Sequence, residues 1–208
     1  MLKMWLRRSF LALAALGLTV SLTAGVQAKM GSFRDVDSEH WAAEAIEWGV
    51  GLGIARGYPD GTFRPDQPVT EAEFLVMLLR AYPDVSLPAV EPGSAWYEAS
   101  YALAEQYHWP VRREMTLGEF DRGKAAELIA ATQGERLGET DAVRYLLAKG
   151  LSKGKSSATV EGYEPDSRLT RAETLTFIRN MRDRHITLKP APEAPQHPFS
   201  ARGIRIGN

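Results

Sequence analysis

Apolar residues recur three and four apart, in paired stretches that repeat along the chain. Trp41, Ala45, Ile46 and Val50 make one helical face, which Asp37 or Ser38 can cap and Gly51-Leu52-Gly53 closes. A Pro- and Gly-rich stretch, Gly57-Tyr58-Pro59-Asp60-Gly61-Thr62-Phe63-Arg64-Pro65, then predicts turns. A second helix follows from Thr70, with Phe74, Met77, Leu78 and Ala81 on one side. Further on, Ala142-Val143, Gly150-Leu151 and Gly154 retrace Ala45-Ile46, Gly53-Ile54 and Gly57, and a final helix carries Phe177, Ile178 and Met181.

The second helices are opened by one signal used three times: Val69-Thr70-Glu71-Ala72-Glu73, Met115-Thr116-Leu117-Gly118-Glu119 and Leu169-Thr170-Arg171-Ala172-Glu173. Thr-x-x-Glu before an apolar run reads as a capping box, in which the threonine oxygen accepts from the third helical N–H and the glutamate reaches back. Recurrence at a period of roughly fifty residues means one supersecondary unit repeated. The fold class expected is all-α: three helix–loop–helix units over 32–88, 89–134 and 135–188. The middle unit is the most worn. Its helix start, Ser94-Ala95-Trp96-Tyr97, is followed by a short loop with Trp109-Pro110 where the others have glycine.

The two ends differ from this body. Lys3, Arg7 and Arg8 precede an apolar run from Phe10 to Val26, and Val26-Gln27-Ala28 offers a small-x-small cleavage site. Residues 1–28 therefore read as a secretory signal peptide, in preference to a retained anchor. After Leu188, Pro190, Pro192, Pro195 and Pro198 predict that residues 189–208 form an extended or disordered tail outside the packed core. The whole chain carries a net charge of −1, and loss of the signal segment makes it more acidic by its three basic residues. Such a balance lacks the basic stripe of a nucleic-acid binder. With no cysteine there is no disulfide, thiolate metal site or acylated cysteine.

In order and spacing these motifs resemble the S-layer homology family. The resemblance rests on Phe33-Arg34-Asp35-Val36, Trp41-Ala42, Gly53-Ile54, Gly57 to Pro65 and Thr70-Glu71-Ala72-Glu73, with Gly150-Leu151, Gly162-Tyr163, Pro165 and Thr170-Arg171-Ala172-Glu173 later in the chain. It implies one pseudo-threefold, three-pronged helical domain at the cell surface or wall of a Gram-positive-type bacterium. Grooves between the prongs would hold a secondary cell-wall polysaccharide, in many members one carrying pyruvate ketals. No cofactor is implied. A protein partner held by the tail is a further expectation, because an anchor ordinarily carries cargo. The alternative from a different class is a secreted protein-interaction scaffold whose repeats have lost glycan binding.

Arg171 is the first candidate ligand residue. It stands in the first turn of a helix, where free N–H groups and a planar guanidinium together suit a carboxylate. The positions taken as equivalent are Glu71 and Leu117, so one groove of three keeps the arginine. Trp41 is second, as a sugar-stacking surface or a core wedge, and Asp35 is third. Trp96, Trp48 and Trp109 read as core or structural side chains. Asp60-Gly61 and Asp66 read as turn residues rather than calcium ligands, for want of alternating oxygen ligands and a distal glutamate. The four histidines form no His-Glu-x-x-His pair and no Gly-x-Ser-x-Gly elbow occurs, so the chain does not read as an enzyme.

Overall fold

A computed structural model describes residues 33–194. Residues 1–32, which include the expected signal peptide, and residues 195–208 lie outside that range. The helices are α1 (Ala43–Gly51), α2 (Glu71–Arg80), α3 (Glu98–Gln106), α4 (Arg122–Ala131), α5 (Glu139–Ala148), α6 (Val160–Tyr163) and α7 (Arg171–Asp183), with a 3₁₀ turn at Arg113–Met115. Among the described residues the only extended pairing is three isolated bridges, so the fold is all-α.

Two of the three helix starts form as the sequence predicts. The Glu73 N–H donates to Thr70 Oγ1 at 3.2 Å and the Thr70 N–H to Glu73 Oε2 at 2.8 Å. Thr170 and Glu173 repeat the reciprocal pair at 3.3 and 3.0 Å. Each cap contributes about 1 kcal/mol. The start of α1 differs: neither Asp37 nor Ser38 caps it, and its N-cap residue Ala42 donates its N–H to His40 Nδ1 instead.

The middle unit departs from its expected register. Thr116 caps nothing; its hydroxyl donates to Arg113 O at the 3₁₀ turn. The cap of α4 is Asp121, five residues later, which accepts from the Lys124 N–H at 2.8 Å. Backbone bonds fix the correspondence. The Ala172 N–H donates to Pro65 O, Gly123 N–H to Pro165 O and Ala72 N–H to Thr116 O. Thr116 thus stands where the other units have Pro65 and Pro165, and Asp121-Arg122 stands where they have Thr70-Glu71 and Thr170-Arg171. Tertiary pairing explains the shift. Phe120 is buried against Phe74, the place Val69 and Leu169 take in the other units. Bridges Pro68–Thr170, Thr70–Glu119 and Asp121–Arg168 hold the three pre-helix segments together. A helix begun at Thr116 would lose that junction and carry Gly118 in its first turn.

The longer helices pair across units. α3 packs on α2 and α5 on α4, and α1 closes the ring on α7. Gly49 makes the closure tight: a Cβ there would stand 2.5 Å from Leu175 Cδ2. Ile46, Phe74, Tyr101, Leu128, Leu146 and Ile178 fill the shared core. Trp41 is not on the buried face of α1, which Ala42, Ala45 and Ile46 supply; it lies in the turn just before the helix. Trp96, read as core, is likewise in the turn before α3 and is 59% exposed, while Tyr101 takes the core position.

The packed body also runs past Leu188. The Lys189 N–H donates to Thr132 O and the Ala191 N–H to Tyr107 O, both at 2.8 Å. Trp109 Nε1 donates to Lys189 O, and Arg136 donates to both Pro192 O and His108 O. Ala191 is buried. The short middle loop leaves the last carbonyls of α3 and α4 open, and a Pro-alternating segment presents N–H groups to them at every second residue.

Candidate functional site around Trp41

The first residue of each second helix reaches into the loop of the following unit. Arg171 is 9% exposed and donates Nε to Phe63 O at 3.0 Å and Nη2 to Arg56 O at 2.8 Å. Its guanidinium lies over the Phe63 ring at 4.5 Å. Arg122 is 2% exposed and repeats the arrangement, donating Nε to Tyr163 O at 2.8 Å and lying over the Tyr163 ring at 4.4 Å. It adds an ion pair to Glu173 Oε1 at 2.6 Å. Glu71 reverses the polarity: its carboxylate accepts from the Arg112 N–H at 2.7 Å and the Tyr101 hydroxyl at 2.8 Å. Two junctions of three therefore carry an arginine. The one-arginine expectation is corrected because Arg122, not Leu117, is the equivalent of Arg171.

Asp35 and Arg171 meet at one stretch of backbone. Asp35 accepts from the N–H groups of Phe63 and Arg64, at 2.8 and 2.7 Å, while Arg171 takes the Phe63 carbonyl. Burial works against the Asp35 charge, but these two N–H groups hold its carboxyl below the usual carboxylate range. They also hold Arg64 in the left-handed region at φ 59°. Both residues brace the first-unit turn. Asp60 completes that turn; the Thr62 hydroxyl and N–H, with Arg64, hold its carboxyl at about 2.

Trp41 lies elsewhere. It is 62% exposed, stacks against His40 at 5.6 Å, and lines a cavity of about 780 Å³ that contains Arg122 rather than Arg171. The third-unit loop Gly150 to Lys155 and the α7 residues Thr176, Phe177 and Asn180 line it as well. The loop is held in shape from within: Asn180 Nδ2 donates to Leu151 O at 3.1 Å, and the Lys155 N–H donates to Gly162 O at 2.7 Å. Gly154 cannot be replaced there, since φ is +75° and a Cβ would stand 1.9 Å from Ser157 O.

Charge in the cavity is uneven. The carboxylate of Glu173 is taken by Arg122, and Lys155 pairs with Glu164 at 3.2 Å. Lys153 and Arg184 also line it and pair with no acid among the described residues; Asp66 is the remaining carboxylate. An exposed indole beside two uncompensated cations suits a ligand with an apolar face and an anionic group. Lys153, Asn180 and Arg184 were not singled out from the sequence. Lysines flanking a loop glycine, and polar residues late in a helix, are ordinary solvated positions until the loop and helix are brought together.

Residues 32–75 match the S-layer homology domain, a stretch that ends within α2. Over 47 residues, 23% of this chain and 2% of the relative, the sequence is 49% identical to Cell surface glycoprotein 1 of Acetivibrio thermocellus. Over 156 residues it is 28% identical to the Cellulosome-anchoring protein of the same bacterium, covering 74% of this chain and 26% of that protein. Outer membrane protein SlpA of Deinococcus radiodurans is 38% identical over 80 residues, 36% of this chain and 7% of that one. The chain spans about a quarter or less of the length of these relatives. The S-layer homology match itself covers the first unit as far as α2.

Proposed function

We propose that this protein is a secreted, non-enzymatic module that attaches to the bacterial cell surface by holding secondary cell-wall polysaccharide in the Trp41 cavity. Cell-surface attachment agrees with the kind of proteins the chain is similar to, which include a cell surface glycoprotein and a cellulosome-anchoring protein. The observation that carries the glycan reading is the exposed Trp41 indole lining one hollow together with Lys153 and Arg184, which pair with no acid among the described residues. The indole packs on the C–H face of a pyranose, and the two cations take a carboxylate, such as a pyruvate ketal, on the same or the next sugar. Arg171 and Asp35 act one step away, by bracing the Phe63 backbone. A protein partner held by the tail engages residues beyond 194, since 189–192 are bonded to the middle unit and to Arg136.

Co-sedimentation of residues 29–208 with purified walls, intact or stripped of secondary polymer, tests this. The protein pellets with intact walls alone, and Trp41→Ala or the Lys153→Ala/Arg184→Ala pair lowers the pelleted affinity at least tenfold, about 1.4 kcal/mol. Equal recovery with stripped walls, or none with either, would instead favour a protein-interaction scaffold.

A further inference from the structure

The helix that follows Trp41 starts without a capping side chain of the usual kind. Its N-cap residue is Ala42, and the Ala42 N–H donates to His40 Nδ1 at 3.1 Å. The Ala43 N–H donates to His40 O at 2.8 Å, and the His40 N–H to Asp37 O at 3.2 Å. His40 therefore holds this turn through its backbone and through its ring. A ring nitrogen that accepts an N–H carries no proton, so the imidazole is neutral with its proton on Nε2. The same ring lies against the Trp41 indole, with centroids 5.6 Å apart and planes 28° apart. One side chain thus ties the exposed indole to the start of α1.

A second proton undoes that tie. Imidazolium has two N–H donors and no acceptor, so a protonated Nδ1 would point its hydrogen at the Ala42 N–H. The ring must then turn away, which takes it out of the stack and leaves the Trp41 turn without its cross-link. Histidine is the side chain whose ordinary titration lies between about pH 5 and 8. The charges near His40 are of both signs. Glu44 on α1, Arg179 and Asp183 on α7, and Lys153 in the third-unit loop line one hollow with it. Arg179 is paired with Glu44 at 3.0 Å. On its own turn, Asp37 accepts from the Glu39 N–H. Opposed charges of this kind leave the lost acceptor to set the sign of the effect. Resting on the Trp41 reading above, we infer that His40 is a positioning residue for the indole and makes attachment pH-dependent. Attachment is firm while the imidazole is neutral and loosens once it is protonated.

Pelleting of residues 29–208 with purified intact walls at pH 8 and pH 5 tests the inference, with His40→Asn and His40→Phe beside the parent. Asparagine places a carbonyl oxygen where Nδ1 stands and accepts at either pH; phenylalanine keeps an aromatic face and accepts nothing. The parent should bind at least tenfold more weakly at pH 5. His40→Asn should bind equally at the two values, which separates His40 from any titration of the walls, and His40→Phe should be weak at both. In the protein alone, the Ala42 amide resonance should move together with the His40 ring resonances in an NMR titration. A parent affinity that stays level or rises on acidification, a His40→Phe protein as tight as the parent at pH 8, or an Ala42 resonance that ignores the His40 titration would overturn the inference and leave the glycan reading standing. Absence of pelleting at either pH would overturn the glycan reading, and this inference with it.

Discussion

The junction at Trp41 and the junction at the middle unit are built on one plan and finished in opposite ways. Trp41 and the equivalent Trp96 begin their units as exposed indoles, whereas the third unit, whose first helix packs on α4, has Gly138 at that place. Arg122 and Arg171 donate to loop carbonyls; Glu71 accepts from a loop N–H. The residues equivalent to Gly150 and Leu151, which line the Trp41 cavity, are His108 and Trp109, and these bond to the C-terminal segment and to Arg136. A buried first-turn residue can change sign without loss of the fold, provided the loop offers the complementary backbone group. The framework then persists while one groove stays open and another is filled from within.

The largest expected effect breaks the open side of the comparison. Arg122 and Glu173 are buried together, and Glu173 also closes the α7 capping box. Arg122→Ala leaves that carboxylate and the Tyr163 carbonyl without their partner, and should cost about 3–5 kcal/mol in urea denaturation. Arg171→Ala orphans two carbonyls but no charge, and should cost about 1–3 kcal/mol. If Arg171 instead contacts ligand, its loss will lower wall binding while the unfolding midpoint stays put.

The middle side breaks by truncation. Ending the chain at Leu188 removes the acceptor of the buried Trp109 indole and the donors to Tyr107 O and Thr132 O. The expected loss is about 1–3 kcal/mol, with a red shift of Trp109 emission as water reaches the ring. Wall binding through Trp41 should be unchanged, because the cavity lies at the other junction. An unchanged emission maximum would show that the segment does not close that groove in solution.

How much of this was legible follows the same division. The all-α class, the capping boxes at Thr70 and Thr170, and the glycines at 53 and 150 could be read, because each depends on residues within one turn. Gly53 and Gly150 do take positive φ, as does His108 in the same place. The middle register could not be read from the Thr-x-x-Glu pattern, since its cap is aspartate and its third helical residue is Lys124. Phe120-Asp121 was nonetheless an apolar-then-cap signal of the right kind. Trp41 was an open choice between core and surface, and the structure puts it at the surface. Arg171 looked like a free fork in the sequence because its carbonyl partners lie more than a hundred positions away, in the first-unit turn. The cation pair Lys153 and Arg184 had no local signal; only the fold of the third-unit loop over α7 joins them.

The smallest effect is the sign of a pH dependence, and it sharpens the comparison. At the first-unit turn the Asp60 carboxyl is held at about 2, so its contribution is present above the ordinary aspartate range and is lost as pH falls through about 2. Glu139 at the start of α5 behaves oppositely. Burial, then the neighbouring charges of Asp121 and Glu127, push its carboxyl up. A raised acid favours the folded state when protonated, so stability is lost as pH rises through the ordinary glutamate value, about 4.3, to the raised folded one. Glu139→Gln removes that loss. It should melt slightly above the parent protein at pH 7, with the difference closing below about pH 4, where both side chains are neutral. A variant that melts lower at pH 7 would mean that the favourable field at the N-terminus of α5 outweighs the crowding of carboxylates, and that the middle junction is less acidic than its side chains imply.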